Sequence, residues 1–249
     1  MAASAITAVV LGGLGLIIGS FLAAVSVRLP HGEDVVSKPS HCMSCERRLR
    51  PWELVPVFSW LVLRARCARC GVRISARYPA IEAAAGLVGV WAGLAFGDWT
   101  MAAMTASLGW QLLLMAVIDA EHMLLPDVLT LPLIGTGLVA SLLLGQGWHG
   151  VLSAGIGFAA LWLVAWSYRV ARGRHGLGDG DPFLFAGAGA WVGWQGLPSV
   201  LLWACALGFS LVIARLAVRR SVSSTDRMPF GPGLALGVWL TWLIGPLGL

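Results

Sequence analysis

Six side chains have types and spacing suited to chemistry. Four are cysteines, Cys42, Cys45, Cys67 and Cys70, arranged as two C-x2-C pairs with 21 residues between them. Each pair brings two thiolates around a tight turn, and two such turns facing each other supply the tetrahedral sulfur set that zinc prefers. A closed four-sulfur site leaves no position for water, so the expected metal is structural. A redox dithiol is the alternative, and spacing favours zinc. Neighbouring arginines are expected to lower the thiol pKa values. A fifth cysteine, Cys205, reads as a small buried apolar residue.

The other two are aspartates. Asp119 closes the apolar run "LLLMAVID", and Asp181 closes "GLGDGD". A carboxylate at a low-dielectric membrane edge is costly when ionised, and two within hydrogen-bond reach do not readily both carry charge. One then holds a proton while the other stays ionised, a pair able to activate water against a peptide carbonyl. The glycines before Asp181 let an extended substrate approach the backbone closely. Other acids have plainer readings. Asp98 lies in the turn "GDWT", and Asp127 follows Pro126 at a helix start, where it complements the dipole. Glu82 stands near Arg73 and Arg77, either of which could pair with it, and His122 reads as a solvated interfacial residue. Of Asp179 and Asp181, one is expected to be no more than a turn residue.

Helices of a membrane protein must position these groups. The 249-residue chain is 58% apolar and 12% charged, with a mean hydropathy of +0.81. That is too apolar for an ordinary soluble domain. Spanning segments of about 20 apolar residues satisfy their backbone groups as helices. About eight are expected, near residues 5–27, 79–97, 99–118, 127–145, 150–168, 183–197, 198–214 and 229–248, with a break at "WQGLPS" between the sixth and seventh. The 32 glycines suit close helix packing in lipid. The fold class expected is therefore an all-α polytopic membrane protein with a zinc-ribbon-like loop between its first two spans. Its expected divisions are a first transmembrane helix (1–27), a tetracysteine domain (28–78) and a transmembrane domain carrying the aspartates (79–249).

Charge sets the expected orientation. No basic residue precedes the first span, which reads as retained rather than as a cleaved signal. Under eight spans, loops 28–78, 119–126, 169–182 and 215–228 share one side and hold all 17 Lys and Arg. Ten lie in the first loop, Lys38 among them. Arg169, Arg172 and Arg174 follow in the third, then Arg215, Arg219, Arg220 and Arg227 in the fourth. Retention of positive residues makes that side cytoplasmic and the N-terminus external. The net charge of +5 then requires no nucleic acid, because anionic lipid explains a basic face. Both aspartates fall on the same side, so a shared site is open to them.

In order along the chain, "GSFLAAVSVRLP", the tetracysteine loop, "RYPAIE", "IDAEHMLLPDVLTLP", "GLGDGD" and "GAWVGWQGLP" resemble the bacterial type IV prepilin peptidases, which are leader peptidases and N-methyltransferases of the GxGD membrane aspartyl protease group. The resemblance runs from about Gly19 to Pro198, and the C-terminal spans match in character only. It implies cleavage of the basic leader from prepilins or type II secretion pseudopilins at the cytoplasmic face of the inner membrane. Methylation of the new N-terminus by S-adenosylmethionine would follow. It implies Asp119 and Asp181 as the reactive pair, with Asp179 at a variable position. Three departures stand out: Pro182-Phe183 where the family usually has Phe-Lys, Ala23 for an asparagine, and Ala65 for a glycine before the third cysteine. No glycine-rich methyl-donor fingerprint is present. Two rivals come from other classes. A non-enzymatic assembly factor would tolerate loss of the aspartates and fail on loss of the cysteines. A proton-relaying transporter would hold its acids near the bilayer midplane, whereas these map to an edge.

Overall fold

The computed structural model describes residues 2–35, 39–174, 176–219 and 228–247. Lys38, Arg220 and Arg227 lie outside the described residues. The chain is helical: α1 (Ala2–Arg28), a short α2 (Phe58–Val62), α3 (Arg77–Ala95), α4 (Trp99–His122), α5 (Asp127–Leu143), α6 (Trp148–Arg172), α7 (Asp181–Arg219) and α8 (Gly231–Ile244). Among the described residues, the β pairing consists of two isolated bridges, His41 to Arg48 and Arg66 to Arg73. Among the described residues, five helices, α1, α3, α4, α6 and α7, are long and apolar enough to cross a bilayer, and α5 and α8 are shorter apolar helices. Large apolar side chains such as Ile17, Leu87, Leu142 and Phe209 face outward, which is the arrangement of helices solvated by lipid.

Two compact units divide the chain, residues 1–114 and 115–249. In the first, α1 and α3 run antiparallel, with Gly19 against Glu82, Gly15 against Ala85 and Gly93 against Ala8. A Cβ at Gly15 or Gly89 would strike the opposing backbone, so small residues set this close approach. Trp110 of α4 donates its indole N–H to the Ala85 carbonyl at 2.8 Å. Asp98 accepts the Met101 N–H at 2.8 Å and so caps α4.

In the second unit, α7 is two arms joined at Gly193, whose φ of 72° and ψ of 166° are non-helical. The contacts show that the chain reverses there. Trp191 before the break stacks edge-on against Trp242 near the end of α8. After it, Gly196 meets Thr241, Val200 meets Gly237, and Ala204 meets Gly233, so the second arm runs back antiparallel to α8. With both arms counted, the apolar helices α1 and α3–α8 give eight segments among the described residues, the number expected. The break, however, falls at Gly193 and not at "WQGLPS". That backbone region is open to glycine almost alone, and Ser153 of α6 accepts the freed Trp194 N–H at 3.0 Å. Pro198 is tolerated inside the second arm. Gly193→Ala is expected to cost about 1–3 kcal/mol, seen as a lower thermal unfolding midpoint in detergent.

The first arm packs between α5 and α6. Leu133 lies against Gly187, Gly157 against Phe185, and Trp191 donates to the Leu133 carbonyl at 3.1 Å. Cys205 is exposed, contrary to the expectation of burial. It stands on the outward face of the second arm, where an apolar thiol needs no protein contact.

Candidate active site and cysteine cluster

Asp119 lies in the last turn of α4, and Asp181 is the first residue of α7. Both are buried, at 6% and 4% exposure. Backbone amides fix each one. The Gly231 N–H, at the start of α8, donates to Asp119 Oδ2 at 2.8 Å. The Gly178 N–H donates to Asp181 Oδ2 at 3.0 Å, while the Asp181 N–H returns to the Gly178 carbonyl at 3.2 Å. This reciprocal turn is closed by Pro182, which supplies a preset φ where no amide donor is required. Gly180 packs against the backbone of Leu125, just before α5. The starts of α7 and α8 and the end of α4 thus converge, and the two carboxylates lie within electrostatic reach of each other. Neither Oδ1 has a hydrogen-bond partner among the described residues.

Asp179, two residues from Asp181, is exposed and pairs with Arg169 at 3.5 Å. Of the two aspartates in "GLGDGD", then, only Asp181 enters the interior. Asp127 occupies the first turn of α5 and is exposed, and His122 lies at the surface 3.9 Å from Glu121. Glu82 is buried and accepts the Val57 N–H at 2.7 Å.

The four cysteine sulfurs all lie within 4.8 Å of one another. Cys42 Sγ and Cys70 Sγ are 3.8 Å apart, which matches the edge of about 3.8 Å for a tetrahedron with Zn–S near 2.3 Å. The residues present therefore fit a zinc ion. Each pair sits in the same hairpin. The Cys42 N–H bonds to Arg47 O and the Cys67 N–H to Val72 O, both at 2.9 Å, with Leu49 to Ser40 and Ile74 to Ala65 closing the ends. The repeat is visible as "CERRL" against "CGVRI", and Glu46 takes the left-handed conformation (φ 52°) that Gly71 takes in its twin. Ala65 also has positive φ, 58°, at the position where the resembling family usually has glycine.

Backbone amides, and not the arginines, hold two of the thiols low, Cys42 and Cys67, whereas against the pull of the Val72 amide burial and the neighbouring sulfurs push Cys70 up to about 11. The Cys45 and Ser44 amides lower Cys42, and those of Cys70 and Arg69 bring Cys67 down to about 6. Arg47 instead pairs with Glu53 at 2.6 Å. That guanidinium, with the Arg50 N–H, holds the Glu53 carboxyl below the usual glutamate range.

Comparison with known proteins bears on both sites. Residues 14–96 match the bacterial peptidase A24 N-terminal domain, and residues 106–213 match the type IV leader peptidase family. The prepilin leader peptidase/N-methyltransferase of Stutzerimonas stutzeri is 37% identical over 93% of this chain and 89% of its own length. The chain belongs to the type IV leader peptidase family. Similarly named relatives from Pseudomonas aeruginosa and Aeromonas hydrophila are 37% and 38% identical, covering 93% and 92% of this chain and 88% of theirs. No solved structure matches. The leader peptidase match to residues 106–213 contains both buried aspartates, and the N-terminal match contains all four clustered cysteines. Gly231 lies beyond both, and sequence reasoning missed it. Its signal was the "FGPG" run at the foot of the last helix, a turn sequence opening an apolar segment.

Proposed function

We propose that this protein is a membrane aspartic endopeptidase that removes the leader from type IV prepilins or type II secretion pseudopilins, with Asp119 and Asp181 as its reactive pair. The observation that carries this reading is the convergence of two buried carboxylates, each fixed through one oxygen by a backbone amide. Their remaining oxygens are left to a shared proton and a water. The ionised member removes a proton from water, and the protonated member donates to the scissile carbonyl; the pair titrates as one unit. The assembly-factor reading gives no reason to bury two acids together. In keeping with the basic loops, the site faces the cytoplasm, in an inner membrane, with the N-terminus outside. The division into a first span (1–27), a tetracysteine domain (28–78) and a protease domain (79–249) separates the two chemistries.

The relatives' names include methyl transfer, and we extend it to this chain, with S-adenosylmethionine as donor. The mass of a co-expressed prepilin tests both halves. The expected product lacks the leader and is heavier by one methyl group. Intact precursor would overturn the peptidase, and trimmed but unmethylated product would overturn the transfer.

Cys42, Cys45, Cys67 and Cys70 would hold one structural zinc, which ties the two hairpins together and supplies no reacting group. Metal analysis of purified protein is expected to give one zinc per chain, and Cys42→Ser or Cys67→Ser to lose it. A metal-free, disulfide-linked loop would sink the assignment.

A further inference from the structure

The stretch between the two cysteine hairpins turns its apolar side chains outward. Trp52, Phe58 and Val62 are each 62% exposed and Leu61 59%, a patch that a water-facing segment does not ordinarily carry. Phe58, Leu61 and Val62 stand at i, i+3 and i+4 of α2 and so share one face. Trp60, on the opposite side, holds the helix to the second hairpin by donating its indole N–H to Ile74 O at 3.1 Å. The apolar face of α2 therefore points away from the protein.

The height of α2 relative to the spans follows from one bond. The Val57 N–H, just before α2, donates to Glu82 Oε2 at 2.7 Å. Glu82 lies five residues into α3, about 7.5 Å along its axis from Arg77. It packs on Gly19 of α1, and Ile17 and Phe21 at that level are exposed on the outer surface, as lipid-facing side chains are. So α2 starts beside the spans and not in the water beyond them. An open groove of about 580 Å³ runs along it, with Trp52, Phe58 and Val62 in its wall and Arg47, Arg50 and Arg69 around it. The Arg50 guanidinium stands 5.3 Å from the centre of the Trp52 ring. Residues 39–76 hold seven arginines against two acids, Glu46 and Glu53, and Arg47 already pairs with Glu53. The surplus charge is positive.

We propose that α2 and this groove are an interfacial anchor that seats the cysteine domain on anionic phospholipid. Trp52, Phe58, Leu61 and Val62 enter the boundary between headgroups and acyl chains, and Arg50 and Arg69 meet the lipid phosphates. An apolar face, an aromatic ring and a basic border are the composition of elements that lie in the membrane interface. An acidic protein would match the charge, but it would have to displace lipid at the height of Ile17 and Phe21. The loop is tethered at both ends by α1 and α3, so the leaflet is always at high effective concentration and a short helix suffices.

Hydrogen exchange of the full-length chain tests this, in nanodiscs of phosphatidylcholine with and without phosphatidylglycerol. Amides of residues 54–66 should exchange about tenfold more slowly in the anionic discs, a modest share of what two arginines gain at an anionic surface. High salt should remove most of that difference, and so should Arg50→Gln combined with Arg69→Gln. Phe58→Ser combined with Leu61→Ser should speed exchange in both kinds of disc, because insertion of the apolar face does not depend on charge. The Cys42 and Cys67 amides, bonded inside the hairpins at 2.9 Å, should exchange alike in every sample and so report an intact fold. Where the serine variant disturbs them, the arginine variant, altered only at exposed side chains, still decides. Equal exchange in the two kinds of disc, or a full difference kept by the arginine variant, overturns the anchor. Protection that appears only when soluble protein is added assigns the face to a protein partner and overturns it too.

Discussion

Asp119→Asn and Asp181→Asn should each reduce prepilin cleavage in membranes by at least about 10³-fold, since each removes a proton-transfer group from the chemical step. That factor corresponds to about 4 kcal/mol of transition-state stabilisation. The amide is nearly isosteric and can still accept the Gly231 or Gly178 N–H through its oxygen, so the turn at each helix start should persist. What is lost is the capacity to carry a proton at one moment and release it at another. The double variant should be little worse than either single one, because the two groups act together and their effects do not add. Asp179→Asn is the internal control. Its carboxylate is exposed and pairs with Arg169 across 3.5 Å, so cleavage should stay within about twofold, as for most surface ion pairs. Cleavage retained by both single variants would remove the dyad and return the assembly-factor reading to the front.

The control also shows what could and could not be read from the sequence. Hydropathy located the apolar segments, because a bilayer admits few alternatives to a long apolar helix. The cysteine cluster was legible because zinc geometry is local and its spacing survives in one dimension. Choosing Asp181 over Asp179 was different. Local composition left the two equivalent, the family resemblance favoured Asp181, and the fold separates them by the turn that sends one inward and the other toward Arg169. The helix break went to "WQGLPS" on proline and glycine content, yet the left-handed backbone sits at Gly193, where Ser153 from another helix meets the exposed Trp194 amide. A cap supplied from 41 residues away leaves no local mark. Cys205 was misread for a related reason: burial rules for soluble proteins do not say which face of a membrane helix meets lipid.

Gly231 is the strongest case of a residue whose importance lies in three dimensions, and Gly231→Ala should lower cleavage by about 10²-fold. A Cβ built there would fall 2.6 Å from Asp119 Oδ2 and 2.8 Å from its Cγ, closer than real side-chain carbons approach. Either the carboxylate rotates away or the start of α8 moves back, and both shift the reacting oxygen by a substantial fraction of an ångström. Displacements of that order cost about 10²-fold in positioned reactions. Gly178 supplies the comparison, since it bonds Asp181 as Gly231 bonds Asp119, but its added Cβ would lie 3.2 Å from Asp181 Oδ2. Gly178→Ala should therefore lose only a few-fold, about 1 kcal/mol. Cleavage assays on both variants, with substrate concentration varied, separate the two effects: displacement of Asp119 should appear in kcat with KM little changed. If Gly231→Ala cleaves as the wild type does, the amide of α8 does not hold the catalytic carboxylate during the reaction, and Asp119 must be positioned by the substrate itself.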